Sequence, residues 1–444
     1  MVDLQDLAKE FSTVIVAATD VQGRLFGRRV PVDRFLNELK DGIDICTCAL
    51  AWDIAQDLSR TTEFEGGRRG WNDFRIIPAL ETLRRYPGAA DTAICMADVV
   101  DEDGEALVEA PRTILRHQLD RAEQAGYGVV LASELEFYLF HGGSRQLRKD
   151  DFRSLEPTTL VRSDYSIVGQ GVQEPFIGRV RREMDAAGIE IYACQAEYGL
   201  GQWEVNFAHS DALEMADRHV IYKAALKELA LAQDLSVTFM ARPLSGDVGS
   251  SCHLHCSLWE GGSPVFASDQ PRRLSGRGKH FVGGLLEHID ETAIFCAPYV
   301  NSYKRHLPDD FGGGVKAWGY DNRTIAVRVV GHGGGLHVEL RYPGADVNPY
   351  LAAAAMIAAG LDGIERGLDP GEPYLMNAYE TENQLGKTPR SLAEALECFR
   401  ASRFVSGVFG EKVAAHYAAH AEAEWLGYLK AVTDWELRRA FELV

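Results

Sequence analysis

Three short segments pair metal-competent or charge-competent residues two apart inside alternating apolar runs: Glu134-Leu135-Glu136, His253-Leu254-His255 and Glu339-Leu340-Arg341. A β-strand sends residues i and i+2 to the same face. Across Ser133 to Phe140 that rule sets both glutamates opposite Leu135, Phe137 and Leu139. Across Cys252 to Ser257 it sets His253, His255 and Ser257 opposite Cys252, Leu254 and Cys256; His337, Glu339 and Arg341 likewise face away from Val338 and Leu340. Gathering such groups out of water is costly without compensation, so a bound cation is the economical reading and the chain reads as a metalloenzyme. Glu197 and Glu204, on either side of a Gly-Leu-Gly turn, add two carboxylates, and Arg305, Arg323, Arg328 and Arg341 crowd one short stretch. Singly, such glutamates and arginines are ordinary surface residues. Together they suit a divalent-metal phosphoryl-transfer site for a carboxylate or polyphosphate ligand.

The elements that must position these groups are strands and helices in mixed order. Val14–Ala18 and Leu25–Val30 flank the turn Asp20-Val21-Gln22-Gly23 as a hairpin, followed by a helix over 32–39. A strand over Thr92–Val100 ends in the polar turn Asp101–Glu105, which marks a domain boundary, and a helix starts at Pro111. Strands are then predicted at 129–140, 189–194, 202–207, 236–241, 252–258 and 337–342. Helices fall near 175–187, 211–233, 277–294 and 348–366, with further helical segments from Ser391 onward and a glycine-rich region at 312–335. The reading is α+β, with a small β-rich domain (1–105) and a larger domain (106–444) built on an antiparallel sheet with flanking helices.

Bulk properties narrow the class. The 444 residues are 46% hydrophobic and 25% charged, an ordinary globular composition, and the net charge of −19 opposes nucleic-acid or anionic-membrane binding. Met1 to Phe11 is acidic and amphipathic, unlike a secretory signal, and Leu351–Leu361 is too short to span a bilayer. Eight scattered cysteines fit reduced thiols, which makes the cytoplasm the expected compartment. Three tempting motifs fall away. Cys252 and Cys256 point away from the histidines between them, which disfavours thiolate zinc. Leu385-Gly386-Lys387-Thr388 has Thr381 where a P-loop needs its first glycine, and the glycines of 312–314 and 331–335 do not form a dinucleotide fingerprint.

In order along the chain, Asp20-x-x-Gly23-Arg24-x-x-Gly27-Arg28 before Pro31, Ser133-Glu134-Leu135-Glu136-Phe137, Gln202-Trp203-Glu204, Gly246 to Ser257, Asn301 to Arg305, Asp321-Asn322-Arg323, Glu339 to Pro343 and Asn348-Pro349-Tyr350-Leu351 resemble the signatures of the glutamine synthetase family. The resemblance implies an N-terminal β-grasp domain and the family's catalytic domain. It places one Mg²⁺ or Mn²⁺ on Glu136, Glu197 and Glu204, and another on Glu134, His253 and Glu339. It implies glutamate on Arg305, Arg341 and the backbone near Gly249, and ATP on Ser257, Arg323, Arg328 and His337, with Arg305, Arg323 and Glu197 in the catalysis. The implied reaction phosphorylates the γ-carboxylate of glutamate, and an amine then attacks the acyl phosphate. The implied partners are glutamate, a small amine and further copies of the chain, as a dodecamer of two hexameric rings in which each site is completed by a neighbouring N-terminal domain.

Four positions depart from the family pattern. The Asp-Gly-Ser-Ser loop expected near an ammonium pocket reads Ala49-Leu50-Ala51-Trp52-Asp53, and Phe311 stands at the flap glutamate. Val248 replaces an asparagine before the glutamate-binding glycine, and His337 an arginine near ATP. Trp52 and Phe311 suit an organic primary amine better than ammonium, so the chain resembles the γ-glutamylamide (glutamate–amine ligase) branch. Asp53, Asp73, Asp309 and Asp310 are the candidate proton acceptors. The alternatives are a glutamine synthetase using ammonium and a non-catalytic protein on the same fold. Tyr379 lies roughly where some bacterial members are adenylylated, but Asn377-Ala378-Tyr379-Glu380 lacks the flanking pattern, so that control is not expected.

Overall fold

The computed structural model describes residues 4, 6–38, 42–58, 70–306, 311–380 and 384–444. The N-terminal sheet comprises β1 (Thr13–Thr19), β2 (Leu25–Pro31), β3 (Ile43–Cys46), β4 (Asp73–Pro78), β5 (Arg84–Arg85) and β6 (Thr92–Val100) in the order β2-β1-β6-β4-β3, with β5 against β6. The hairpin β1–β2 is antiparallel, whereas β1 and β6 run parallel. Val14, Val16, Phe35, Phe74, Ile76, Ala93 and Cys95 bury a core of their own here, distinct from the main one.

The larger sheet holds β7 (Gly128–His141), β8 (Ile191–Ala196), β9 (Gln202–Phe207), β10 (Ser210–Asp211), β11 (Leu235–Thr238), β12 (Cys252–Glu260) and β13 (Ser263–Pro264). After the two-residue β14 (Val315–Lys316), which pairs elsewhere, it continues with β15 (Trp318–Tyr320), β16 (Val327–Val330) and β17 (His337–Leu340). Its spine runs β15-β16-β17-β12-β7-β9-β8; all these pairings are antiparallel except β15–β16. Alternation explains why β7 persists for fourteen residues. Val129, Leu131, Ser133, Leu135, Phe137 and Leu139 form one buried face, while Glu134 and Glu136 leave the other.

Helices seal the apolar face. The helix Pro349–Arg366 carries the local signals that start and stop a helix: Asn348 Oδ1 accepts the Tyr350 N–H at 3.1 Å, Pro349 opens the first turn, and Gly367 closes it at φ +63°. The amide nitrogen of the same Asn348 donates to the carbonyls of Asp20 (3.3 Å) and Val21 (3.1 Å), so one cap also ties the N-terminal hairpin to the main core. No helix among the described residues is long and apolar enough to cross a membrane.

Two sequence expectations shift. The helix predicted over 277–294 ends at His288, with a short separate helix at Ala293–Cys296. The glycine-rich region conceals β16, the strand that carries Arg328, because Val327, Val329 and Val330 supply a pattern too short to stand out from the flanking glycines.

Candidate active site

The register of the sheet turns the two-apart spacings into rows of facing side chains. Glu136 on β7 opposes Glu204 on β9, which in turn opposes Gln195 on β8. Glu134 opposes His253 on β12, and His255 opposes Glu339 on β17, which opposes Arg328 on β16. These rows floor a cavity of about 1620 Å³, whose walls include Glu134, Glu136, Glu197, Glu204, Gly249, His253, Ser257, Phe311, Arg323, Arg328, His337 and Arg341. Small-molecule pockets commonly enclose about 300–1,000 Å³, so this one has room for several reactants at once.

The carboxylates are held but undercompensated. Glu136 Oε2 accepts from Gln202 Nε2 (2.8 Å) and the Ser251 N–H (2.9 Å); Glu204 Oε1 accepts from Gln195 Nε2 (2.8 Å) and Asn206 Nδ2 (2.9 Å). Burial, then the charge of Glu197, pushes Glu136 up to about 8. Burial and the neighbouring charges of Asp164 and Glu134 raise Glu197 to about 7, and burial with three surrounding glutamates lifts Glu204 well above the usual carboxylate range. Burial and the Arg341 charge lower His253 to about 4, leaving it the neutral imidazole that a metal requires. Against the cost of burial, Arg341 and the histidines hold Glu339 down to about 2.

These residues fit a divalent cation. Glu134, Glu204 and His253 bring potential ligand atoms within 4.8 Å of one another, as do Glu134, His255 and Glu339. Among the described residues the buried Nε2 atom of His253 has no hydrogen-bond partner, and that of His255 lies 3.2 Å from Glu134 Oε1. A donor set dominated by carboxylates with one or two imidazoles suits Mg²⁺ or Mn²⁺ rather than a thiophilic metal. Glu136 and Glu197, expected to share a cation with Glu204, lie outside both groups, and His255, which strand alternation placed on the correct face without a role, belongs to one. His255 is further fixed by His337: the Gly335 carbonyl lies 2.8 Å from His337 Nδ1, and His337 Nε2 lies 3.1 Å from His255 Nδ1.

The arginines divide. Arg323 is exposed and lines the cavity. Arg328 donates to Glu339 Oε2 at 2.8 Å and pairs with Asp321, while Arg341 is bonded to Glu339. Arg305, expected to grip substrate, does not line the cavity. The residue is 1% exposed, and its terminal guanidinium nitrogens meet Ser251 Oγ (2.9 Å), the Tyr342 carbonyl and His306.

Of the expected amine pocket, one chain brings Phe311 alone to the cavity. Trp52 does not line the cavity of its own chain: its indole N–H donates to Asp20 Oδ2 at 3.2 Å and its ring packs edge-on to Phe26. Asp53 caps its own turn, accepting from the N–H groups of Ala55 (2.8 Å) and Asp57 (2.9 Å), and Asp73 lies in β4 of the other sheet. Asp309 and Asp310 fall outside the described residues. Phe311 does line the cavity, half-exposed and edge-on to Tyr379 at 5.5 Å between ring centroids. The acid that the structure brings there is Asp164, beside Tyr165, on a turn whose sequence carries no periodic signal. Among the described residues no side chain hydrogen-bonds or pairs with Asp164; its charge acts on Glu197.

The model of the glutamine synthetase catalytic domain matches residues 108–440. The chain is 40% identical over 436 residues to gamma-glutamylethanolamide synthetase GlnA4 of Streptomyces coelicolor, covering 98% of this chain and 94% of that protein. It is 37% identical over 437 residues to glutamate–isopropylamine ligase of Pseudomonas sp, covering 97% and 95%. A solved structure described as a GmaS/ADP complex superposes with a TM-score of 0.87 at 29% identity, covering 99% of this chain and 100% of that one. With its ordered motifs, its sheet registers and a catalytic-domain match over most of its length, the chain belongs to the glutamine synthetase family.

Proposed function

We propose that this protein is an ATP-dependent carbon–nitrogen ligase that joins the γ-carboxylate of glutamate to an organic primary amine through γ-glutamyl phosphate. The observation that carries this reading is one large cavity that combines a carboxylate–imidazole floor and cationic walls with an aromatic rim of Phe311 and Tyr165. The names of the two curated relatives, an ethanolamide synthetase and an isopropylamine ligase, support it. Neither alternative has comparable support.

Divalent cations bound at this floor would neutralise charge on the transferring phosphoryl group. Glu134, Glu136, Glu197, Glu204, His253 and Glu339 would hold them. Arg323 and Arg328 face the cavity as cations for the polyphosphate, with Ser257 and His337 beside them, while Arg341 and the backbone at Gly249 orient glutamate. Arg305 works indirectly, balancing the charge of Glu136 and fixing Ser251. An amine must arrive as its cation and attack as its free base, so a carboxylate is needed at the rim. Asp164 supplies it, and Phe311 and Tyr165 offer apolar contact to the substituent.

Two assignments concern the whole chain. Residues 1–105 and 106–444 form the two domains, and copies assemble into rings, most simply two stacked hexamers. Large apolar side chains exposed near the C-terminus, including Trp435, Phe441 and Leu443, support burial between copies. A cytoplasmic setting agrees with eight unpaired cysteines.

The test is phosphate release from ATP with glutamate and Mg²⁺ or Mn²⁺ against a panel of amines that includes ammonium, with products identified by mass. A primary alkylamine or alkanolamine is expected to show the highest kcat/KM, and Glu136→Ala and Glu339→Ala to abolish turnover. Ammonium ranking first would make the protein an ordinary glutamine synthetase, and normal turnover in both variants would remove the metal-floor reading.

A further inference from the structure

Cys46 ends β3 and Cys48 sits in the 3₁₀ turn Thr47–Leu50 that follows. Of the eight cysteines, Cys95, Cys252, Cys256 and Cys296 are buried and Cys46, Cys48, Cys194 and Cys398 are partly exposed; among the latter four, Cys46 and Cys48 stand two apart in the sequence. The Cys48 N–H points at Cys46 Sγ, 3.4 Å away, and burial, then the neighbouring Cys46, pushes the Cys48 thiol up to about 12. Residues two apart are separated by no more than about 7 Å between Cα atoms, close to the range of about 4.4–6.8 Å that a disulfide spans.

The turn between these sulfurs and Trp52 is tightly braced. The Cys48 carbonyl accepts the N–H groups of Ala51 (2.9 Å) and Trp52 (3.1 Å). His420, on the helix Glu411–Lys430, lies with Nε2 3.1 Å from the Leu50 carbonyl. Arg24 donates to the carbonyls of Asp53 (2.9 Å) and Ile54 (2.6 Å), and Gln22 Nε2 to that of Trp52 (3.2 Å). A movement of Cys48 is therefore carried by its carbonyl directly to Trp52.

We propose that Cys46 and Cys48 form a reversible dithiol switch, oxidised by hydroperoxides to an intrachain disulfide that displaces the Trp52 turn. The Cys46 sulfur, as its thiolate, attacks a peroxide oxygen and the O–O bond breaks, giving a sulfenic acid and water or an alcohol. The second sulfur then attacks the sulfenic sulfur and expels water. In sum two S–H groups lose two protons and two electrons, and the peroxide is reduced to two molecules of water, or of water and alcohol. A ring this small is strained, which makes the bond easy for a dithiol reductant to open, as a switch requires. Its effect on turnover rests on the ligase reading and on a neighbouring copy receiving Trp52; formation of the disulfide rests on neither.

The experiment exposes the full-length reduced protein to hydrogen peroxide, then measures the mass of the tryptic peptide that contains both cysteines, the tryptophan emission and the turnover with the best amine. The expected result is loss of two hydrogens from that peptide, a changed emission that is absent in Trp52→Phe, and a several-fold fall in turnover, all reversed by a dithiol. Cys46→Ser and Cys48→Ser should each abolish the two-hydrogen loss and the emission change. Stable sulfinic acid, pairing with a different cysteine, or a disulfide that leaves both Trp52 emission and turnover unchanged would overturn the switch. Absence of turnover in the reduced protein would instead count against the ligase reading.

Discussion

At the scale of single residues, the charge pattern of the floor makes opposite demands on protons and cations. Glu136 at about 8 and Glu197 at about 7 are raised above the ordinary carboxyl value of about 4.5 by burial and neighbouring charge, so without metal the folded chain favours their protonated forms. The sign follows from linkage: stability from a raised carboxyl is fully present below its unfolded pKa and is lost as pH rises through the folded value. Metal-free protein should therefore lose thermal stability between about 4.5 and 8, and Mn²⁺ should bind more tightly and release protons as pH rises across the upper part of that window. Thermal melts and calorimetry in buffers of different ionisation enthalpy check both; pH-independent Mn²⁺ affinity would refute the shared-proton account. Asp164 makes a sharper demand. Asp164→Asn should lower kcat/KM for a primary amine by about a hundredfold or more, yet spare γ-glutamyl hydroxamate formation, because hydroxylamine is already mostly unprotonated near neutral pH. Equal losses with both nucleophiles would make Asp164 structural. The metal-competent residues could be read from the sequence because the period of two fixes a face. Asp164 could not, since a turn has no period, and the partners of Arg305 could not, because residue type reveals a charge without its direction. The bracing of Trp52 was hidden for a similar reason: its partner Asp20 lies in a different segment, and only the folded hairpin brings them together.

At the scale of elements, the long strands and the helices 212–231 and 349–366 were legible from alternation and from caps such as Asn348 and Gly367. The meeting of helices was not. Gly276–His288 and Pro349–Arg366 cross so closely that a Cβ on Gly284 would stand 2.0 Å from the Ala359 carbonyl oxygen, and one on Gly363 2.2 Å from that of His280. The obstacle is backbone in both cases, so no rotamer change relieves it. Gly284→Ala should destabilise by about 1–3 kcal/mol or more through forced separation of the pair. Gly407→Ala, in the helix Arg403–Phe409 with nothing within 4 Å of the added methyl, should be neutral or gain up to about 1 kcal/mol from helix propensity. Denaturant midpoints decide this, and equal effects at the two positions would contradict the close crossing. Such contacts hide in sequence because a glycine inside a helical pattern reads first as a weakness and only afterwards as a place where backbones touch.

At the scale of the whole molecule, the two sheets divide the work unevenly. The cavity draws all its named walls from beyond the N-terminal sheet, while Trp52, braced by Asp20, Gln22 and the Cys48 carbonyl, faces no part of it in the same chain. If the ring is the working form, Trp52 acts on a neighbour's cavity, and two crippled chains should repair one another. Trp52→Ala lacks the contributed aromatic but keeps a metal floor; Glu136→Ala lacks the floor but keeps Trp52. Each homo-oligomer should be nearly inactive toward the preferred amine. In a ring of heterologous contacts assembled from equal amounts of both, chance pairing leaves about a quarter of the sites with an intact floor and an intact donor. Co-expression with two affinity tags, followed by tandem purification, ensures that only mixed assemblies are assayed. Recovery of amine-dependent turnover in that fraction, with none on mixing the preformed assemblies without subunit exchange, is the expected outcome. Mixed assemblies that stay as inactive as their parents would show that Trp52 serves its own chain, and that the site is complete without a neighbour.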